Sequence, residues 1–394
     1  MKFLLLGLLG LHVVSESDAH VIDTPLSCAA SHDGSCPLPS WDPVWDMNMS
    51  TIVQGCNYSG YLHGGGQYGI ITFDWQTNSG TWNVSGNASE MLVEQARITK
   101  SENPHTRVMV YRNFALAQGI LSTHRAIMYD QQYADFFLQY QPNNPGHIPI
   151  GTIFNSPTSL LHGEQYFWNW SNPAVLDWWL EEVIGSQATG SEYIDGIFTD
   201  DVDGTFQEHE TASEAMGMST SQIADYTAHS QHAYQAVLKQ LINNQAYNWQ
   251  AFGSEDWTNS SLPVAPGGTQ CITQMRYLCT SESWQQPKLL SAPGANVGGA
   301  VVPLGSDLQS VASFLIARGP YWWYGYGWSG QVCDTSPILP YQPQHPALWN
   351  LSPGKPLDNC TETDEGVFRR KFEKGSATLD CNQWTAELDF QSSN

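Results

Sequence analysis

The sequence predicts an α/β protein: a (β/α)8 TIM barrel with a small C-terminal antiparallel β extension and an irregular, disulfide-tied N-terminal lead-in. Two observations carry this prediction. From Tyr68 onward, short apolar runs bounded by Gly or polar residues alternate with longer helix-period stretches, which is the pattern of stacked βαβ units. That alternation covers about 260 residues, near the usual size of a barrel. The tail from Gly366 to Phe390 then switches to period two, as an antiparallel sheet requires. An open sheet is the alternative architecture. Nucleotide-binding versions lack support, since no Gly-x-Gly-x-x-Gly follows a strand and no Gly-x-x-x-x-Gly-Lys-Ser/Thr occurs.

Taken in order, residues 1–19 read as a signal peptide: Lys2, then the apolar run Phe3 to Val14, with cleavage near Ala19. The run is shorter than the roughly 20 residues that span a bilayer. Residues 20–66 are rich in Ser, Pro, Gly, Asp and Trp without sustained periodicity and form the expected irregular segment. The barrel is expected over 67–335, with strands at Gly69 to Phe73, Arg107 to Tyr111, Tyr193 to Thr199, Asn248 to Phe252, Ile272 to Tyr277 and Ala300 to Pro303. Helices are expected at Ala88 to Thr99, at Pro173 to Ile184 behind an Asn172 cap, at Ser219 to Asn244 and at Asp307 to Ala317. Residues 336–394 hold a loop and the β extension.

Eight cysteines stand at 28, 36, 56, 271, 279, 333, 360 and 381, an even number that in an exported chain reads as up to four bridges. Cys28 with Cys36 and Cys271 with Cys279 are plausible local closures. Asn-x-Ser/Thr sequons begin at Asn48, Asn57, Asn83, Asn87, Asn169, Asn259, Asn350 and Asn359, and with a signal sequence this density predicts N-glycans on exposed sites. The expected localisation is secreted, extracellular or cell wall.

Lys and Arg number 15 against 38 Asp and Glu, a formal charge of −23. Such a surface repels phosphate backbones and anionic lipid, so nucleic acid and membrane are not expected partners. An anionic polysaccharide is disfavoured by the same argument, whereas a neutral or cationic glycan is tolerated.

The chemistry concentrates at strand ends. Tyr193-Ile-Asp-Gly-Ile-Phe-Thr-Asp-Asp-Val-Asp-Gly204 is an apolar strand running into Asp200, Asp201 and Asp203, and in a barrel the carboxyl ends of strands face the active site. Ala251-Phe-Gly-Ser-Glu255-Asp256-Trp257 and Ile70-Ile-Thr-Phe-Asp74-Trp75 repeat the design of apolar run, acid and aromatic. Glycosidic cleavage needs two carboxyl groups, one to protonate the leaving oxygen and one to attack or to activate water; Asp200 and Glu255 fit those roles. Arg112 and Asn113, which follow Tyr111, are candidates for hydrogen-bonding sugar hydroxyls or holding a carboxylate charged, and Trp75, Trp257, Trp322 and Tyr324 are candidates for stacking on pyranose faces. Each has a plainer reading: acids in surface turns, an arginine in a structural ion pair, aromatics in a core. No metal or cofactor is expected. His-Glu-x-x-His is absent, and Gly204 arrives too early for a calcium loop.

At these residues the chain resembles the barrel-fold glycoside hydrolases related to endo-alpha-1,4-polygalactosaminidases and to hypothetical glycosyl hydrolase family 15. The resemblance rests on Asp195-Gly-Ile-Phe-Thr-Asp-Asp-Val-Asp203, on Phe314-Leu-Ile-Ala-Arg-Gly-Pro-Tyr-Trp322 and on Val367-Phe-Arg-Arg-Lys-Phe-Glu-Lys-Gly375. It implies that Asp200 matches the family's fourth-strand catalytic aspartate, Asp203 its accompanying acid and Glu255 the partner by strand order. The expected function is glycosidic cleavage of an extracellular polysaccharide. A non-catalytic carbohydrate-binding or wall-structural glycoprotein on the same scaffold is the alternative.

Overall fold

The fold is taken from a computed structural model, which describes residues 61–74, 88–156, 165–201, 210–250, 266–280, 307–325 and 351–390, with short pieces at 45, 49–53, 264, 288–291, 296–297, 300–301 and 348. The described strands are β1 Met49–Val53, β2 Ile70–Phe73, β3 Arg107–Asn113, β4 Leu116–Gln118, β5 Gln165–Phe167, β6 Gly196–Asp200, β7 Tyr247–Gln250, β8 Lys288–Ser291, β9 Asn296–Val297, β10 Ala300–Val301, β11 Trp322–Gly325, β12 Thr361–Asp364, β13 Val367–Phe372, β14 Gly375–Asp380 and β15 Thr385–Phe390.

Seven of them form one sheet in the order β7-β6-β3-β2-β1-β11-β8, and every ladder in it is parallel. The position of β11 sets this sheet apart from a doubly wound one. A doubly wound sheet would continue outward from β1 through β8; instead the last strand, β11, pairs with the first and β8 lies beyond it, the cyclic order of a barrel. Tyr247 on β7 and Trp323 on β11 meet with ring centroids 5.4 Å apart, although their strands lie near opposite ends of the ladder, so the sheet curls round on itself. Among the described residues no ladder joins β7 to β8, and the eighth strand and full closure predicted from the sequence are not seen.

Alternation sorts the side chains. Ile71, Phe73, Val108, Val110 and Ile197 belong to one apolar cluster and Trp322 and Tyr324 to another, on the outer face under the helices. Thr72, Met109, Tyr111, Phe198, Tyr247 and Trp323 are buried outside both clusters, on the inner face. Gly196 lets the backbone of β7 come close to β6: a Cβ there would lie 1.8 Å from the Tyr247 carbonyl oxygen.

The outer layer follows the sequence pattern. Helix Ala88–Glu102 buries Leu92, Gln95, Ala96 and Thr99, and the Gln95 amide bonds both the N–H and the carbonyl of Leu62. Helix Pro173–Trp178 starts on Asn172, whose side chain accepts from the Ala174 N–H, with Pro at the first turn. Helix Thr220–Asn243 opens on a reciprocal pair: the Gln222 N–H donates to Ser219 Oγ, and the Ser219 N–H donates to Gln222 Oε1. No described helix is long and apolar enough to cross a membrane.

Several expectations are corrected. Met49–Val53, inside the segment read as irregular, is the first strand of the parallel sheet. Ile272 to Tyr277 is not a strand but part of helix Gly268–Leu278, because Cys271, Met275 and Leu278 recur at helical spacing and are all buried. Ala300–Val301 pairs antiparallel with β9 and stays outside the main sheet. Trp322 and Tyr324, proposed as sugar-stacking rings, lie on the buried strand β11. Strands β12 to β15 form the predicted antiparallel extension, starting a few residues earlier than expected.

Cys271 and Cys279 do not pair with each other. They stand eight positions apart along and just beyond one helix, which separates them by about 12 Å at 1.5 Å per residue, beyond disulfide reach. Each bonds the extension instead, as Cys271–Cys381 and Cys279–Cys360. Cys28, Cys36, Cys56 and Cys333 lie outside the described residues. Of the sequons, Asn359 is exposed, Asn169 is half-buried with Nδ2 donating to the Asp135 carbonyl, and the other six asparagines are not described.

Candidate active site

The parallel strands β2, β3 and β6 end side by side, and each ends in a polar residue of the inner face. Phe73 pairs with Val110, Tyr111 with Phe198 and Asn113 with Asp200, which sets Asp74, Tyr111, Asn113 and Asp200 at one end of the sheet. The Phe114 N–H donates to the Asp200 carbonyl at 2.8 Å and ties the ends of β3 and β6 together.

The Tyr111 hydroxyl donates to Asp200 Oδ2 at 2.6 Å. Asn113 Nδ2 donates to Asp201 Oδ2 at 2.6 Å and to the Tyr111 oxygen at 3.2 Å. Its amide orientation is fixed from behind, because Asn113 Oδ1 accepts the N–H groups of Ala115 and Leu116 at 3.0 and 2.8 Å. Asp201 has a left-handed backbone, φ 52°, which turns the chain sharply after the strand and aims its carboxylate back at Asn113. A left-handed aspartate is uncommon and is the kind of backbone concentrated at functional sites.

Tyr111 and Asn113 are almost fully buried, as is Asp74; Asp200 and Asp201 are half-buried. Burial holds the Tyr111 phenol well above its ordinary pKa, and the charges of Asp200, Asp201 and Asp74 add to the effect, as does its bond to Asp200. Tyr111 is therefore a proton donor at any physiological pH. Three acids thus surround one phenol at the mouth end of a parallel sheet.

Of the residues proposed from the sequence, the structure brings Asp74, Asp200 and Asp201 together. Arg112 is corrected: one step along β3 from Tyr111, it faces the opposite way, into the helix layer, fully buried. There its guanidinium donates to the carbonyls of Tyr111 and Gln187, and burial pushes its pKa down to about 10. Trp322 and Tyr324 are corrected likewise. Both are buried in the outer cluster with Phe314 and Leu315, and the Tyr324 hydroxyl donates to Ser310 Oγ, so neither ring is presented to a sugar. Trp75, Asp203, Glu255 and Trp257 lie outside the described residues.

Asn113, named from the sequence beside Arg112, does reach a carboxylate, that of Asp201; sequence reasoning missed Tyr111. The signal was available in the period of β3: with Met109 inward, Tyr111 and Asn113 are inward and Arg112 is not. At the other end of β3 and β6, Asp195 accepts from Lys100, Arg107 and the Val108 N–H; it is a structural clasp at the N-terminal end of the strands.

Behind Arg112 sits His124, also fully buried. Its Nδ1 accepts the Gln118 N–H at 3.2 Å, which places the ring proton on Nε2, and it stands edge-on to Trp168 at 5.2 Å. Burial, with a smaller contribution from Arg112, pushes its pKa down to about 3. The folded value lies below the ordinary 6.5, so the unfolded chain takes up a proton first. The stability His124 lends is complete above about pH 6.5 and is lost as pH falls toward 3. Comparing urea midpoints across that window, His124→Gln is expected to show a shallower fall than the parent, by up to about 1.4 kcal/mol per pH unit.

No protein-family model matches the chain, and no curated protein matches it. Solved structures similar to it include an alpha-amylase from Geobacillus thermoleovorans complexed with acarbose, 10% identical over 86% of this chain and 87% of that one, with a TM-score of 0.42. A noncanonic maltogenic alpha-amylase from Thermotoga neapolitana is 10% identical over 84% and 85%, with a TM-score of 0.44. A glucosidase II alpha subunit is 8% identical over 74% of this chain, which spans only 32% of that subunit, with a TM-score of 0.44. Likeness of this degree assigns neither a family nor an activity.

Proposed function

We propose that this chain is a secreted glycoside hydrolase that cleaves an extracellular polysaccharide by a two-carboxylate mechanism, with Asp200 as nucleophile or base. The observation that carries the reading is the convergence of Asp74, Asp200 and Asp201 on the Tyr111–Asn113 pair at the carboxyl ends of adjacent parallel strands. Acids gathered at so buried a position cost folding energy unless they do something a packing residue cannot. Phenol and amide donors hold two of them facing the strand ends, where barrels bind their substrates.

Glu255, at the end of the segment that follows β7, is the proposed proton donor to the leaving oxygen. Asp203, Trp75 and Trp257 are proposed to line the glycan beside Asp74 and Asp201. The charge of −23 favours a neutral or cationic chain over an anionic one. The export reading rests on the signal-type N-terminus and the sequons.

The test is a screen of the purified full chain against neutral, cationic and anionic polysaccharides, read as new reducing ends. Release from a neutral or cationic polymer is expected. Retention on a glycan column without any release would instead favour a non-catalytic carbohydrate-binding protein.

A further inference from the structure

We infer that Tyr111 and Asn113 form a one-way hydrogen-bond relay that makes Asp200 the ionised member of the catalytic pair, with Tyr111 as its positioning residue. The inference rests on the reading of Asp200 as a catalytic carboxylate and names what holds it in the ionised form that either attack or water activation requires.

The direction of the relay follows from donors and acceptors alone. The two backbone N–H groups of Ala115 and Leu116 occupy Asn113 Oδ1, so the face of the amide turned to the site is Nδ2, which only donates. One of its protons goes to Asp201 Oδ2 and the other points at the Tyr111 oxygen. A phenol oxygen that receives a donor has to direct its own single proton elsewhere. The acceptor 2.6 Å away is Asp200 Oδ2.

Asp74 and Asp201, gathered round the same phenol, oppose a further charge on Asp200; a donor fixed on its carboxylate oxygen favours the charged form, and the bond is stronger for being charge-assisted. Tyr111 cannot reverse the direction by ionising, since burial and the neighbouring acids oppose its losing the proton. The Phe198 ring, 5.7 Å from that of Tyr111, and the Phe114–Asp200 backbone bond fix the two strands that carry the pair. Asp200 is thereby set up to attack or to take a proton from water, and not to give one to the leaving group. The proton donor is the other carboxyl.

The decisive variant is Tyr111→Phe, which removes one oxygen and keeps the ring. On whichever polysaccharide the parent hydrolyses, kcat is expected to fall about ten- to a hundredfold, the worth of one charge-assisted hydrogen bond, with KM little changed. The low-pH limb of the kcat profile should move toward neutral pH, because Asp200 without its donor holds a proton longer. Phe198→Leu, a packing change beside the same ring, should lower Tm and leave that limb in place. Carbon-13 labelling of aspartate carboxyls gives a readout independent of turnover, in which the Asp200 signal titrates at higher pH in Tyr111→Phe than in the parent. If Tyr111→Phe does not fold, Asn113→Ala is expected to move limb and signal the same way by less. An unmoved limb and signal overturns the relay, and so does a shift of the high-pH limb instead, the mark of an Asp200 that works protonated. If no polysaccharide is cleaved, the hydrolase reading fails, and the labelled titration still decides the relay by itself.

Discussion

Replacing Asp200 by Asn is expected to leave a folded chain that has lost at least about a hundredfold in glycan hydrolysis, or about 2.7 kcal/mol of transition-state stabilisation. The fold should tolerate the change because the amide oxygen can still accept the Tyr111 proton, and the bond from the Phe114 N–H to the Asp200 carbonyl belongs to the backbone. The chemistry should not, because an amide neither attacks an anomeric carbon nor removes a proton from water. Rates on the responsive polysaccharide, measured beside thermal midpoints, separate the two effects. Unchanged turnover in a variant with an unchanged midpoint would remove Asp200 from the mechanism. The same experiment on Asp201, whose carboxylate is bonded to Asn113, should give a smaller loss if it only positions the glycan.

Parts of this arrangement are legible in the sequence for a physical reason. A strand with both faces buried reads as an apolar run, and Tyr193-Ile-Asp-Gly-Ile-Phe-Thr ends where its run gives way to acids. That is why Asp200 and Asp201 are found without coordinates. Helix caps such as Asn172 and Ser219 are local chemistry and are equally readable. Other features depend on which face a residue takes, and a shift of one position reverses that. Arg112 has the chemistry of a site residue and Tyr111 that of a core residue, yet the parity of β3 exchanges their roles. Trp322 and Tyr324 look like a sugar platform by composition, but they are the outer face of a strand whose inner face is Trp323. The strand at Met49–Val53 is short and sits among Ser, Thr and Met residues with no apolar run to mark it. Only its ladders to β2 and β11 make it visible.

The pairing of the cysteines is the feature that spacing misreads most, and it leads to a large effect on stability. Removing Cys271–Cys381 as a double Ala variant is expected to cost about 2–5 kcal/mol, read as a lower denaturant midpoint. The bond spans 110 residues, and its second partner, Cys279–Cys360, spans 81. Both fasten the four-stranded extension to helix Gly268–Leu278, so they act on one interface. That interface has its own apolar contacts, with Phe368, Phe372, Ala377 and Leu379 of the extension clustered with Val311, Phe314 and Leu315 of helix Asp307–Ala317. Arg370 adds a polar lock: its buried guanidinium donates to the carbonyls of Ile316 and Arg318 at the end of that helix and to that of Asp358. With one disulfide left, the other closes only the small ring made by the arms 271–279 and 360–381. Loop entropy falls off only logarithmically with ring size, so even that ring is worth about 3.7 kcal/mol. Losing both bonds should therefore cost clearly more than losing either. It should also expose the apolar face of Phe368, Phe372 and Leu379, seen as dye binding before the main unfolding transition. Midpoints that stay put in both single-bridge variants would mean that apolar packing and Arg370 alone hold the extension in place.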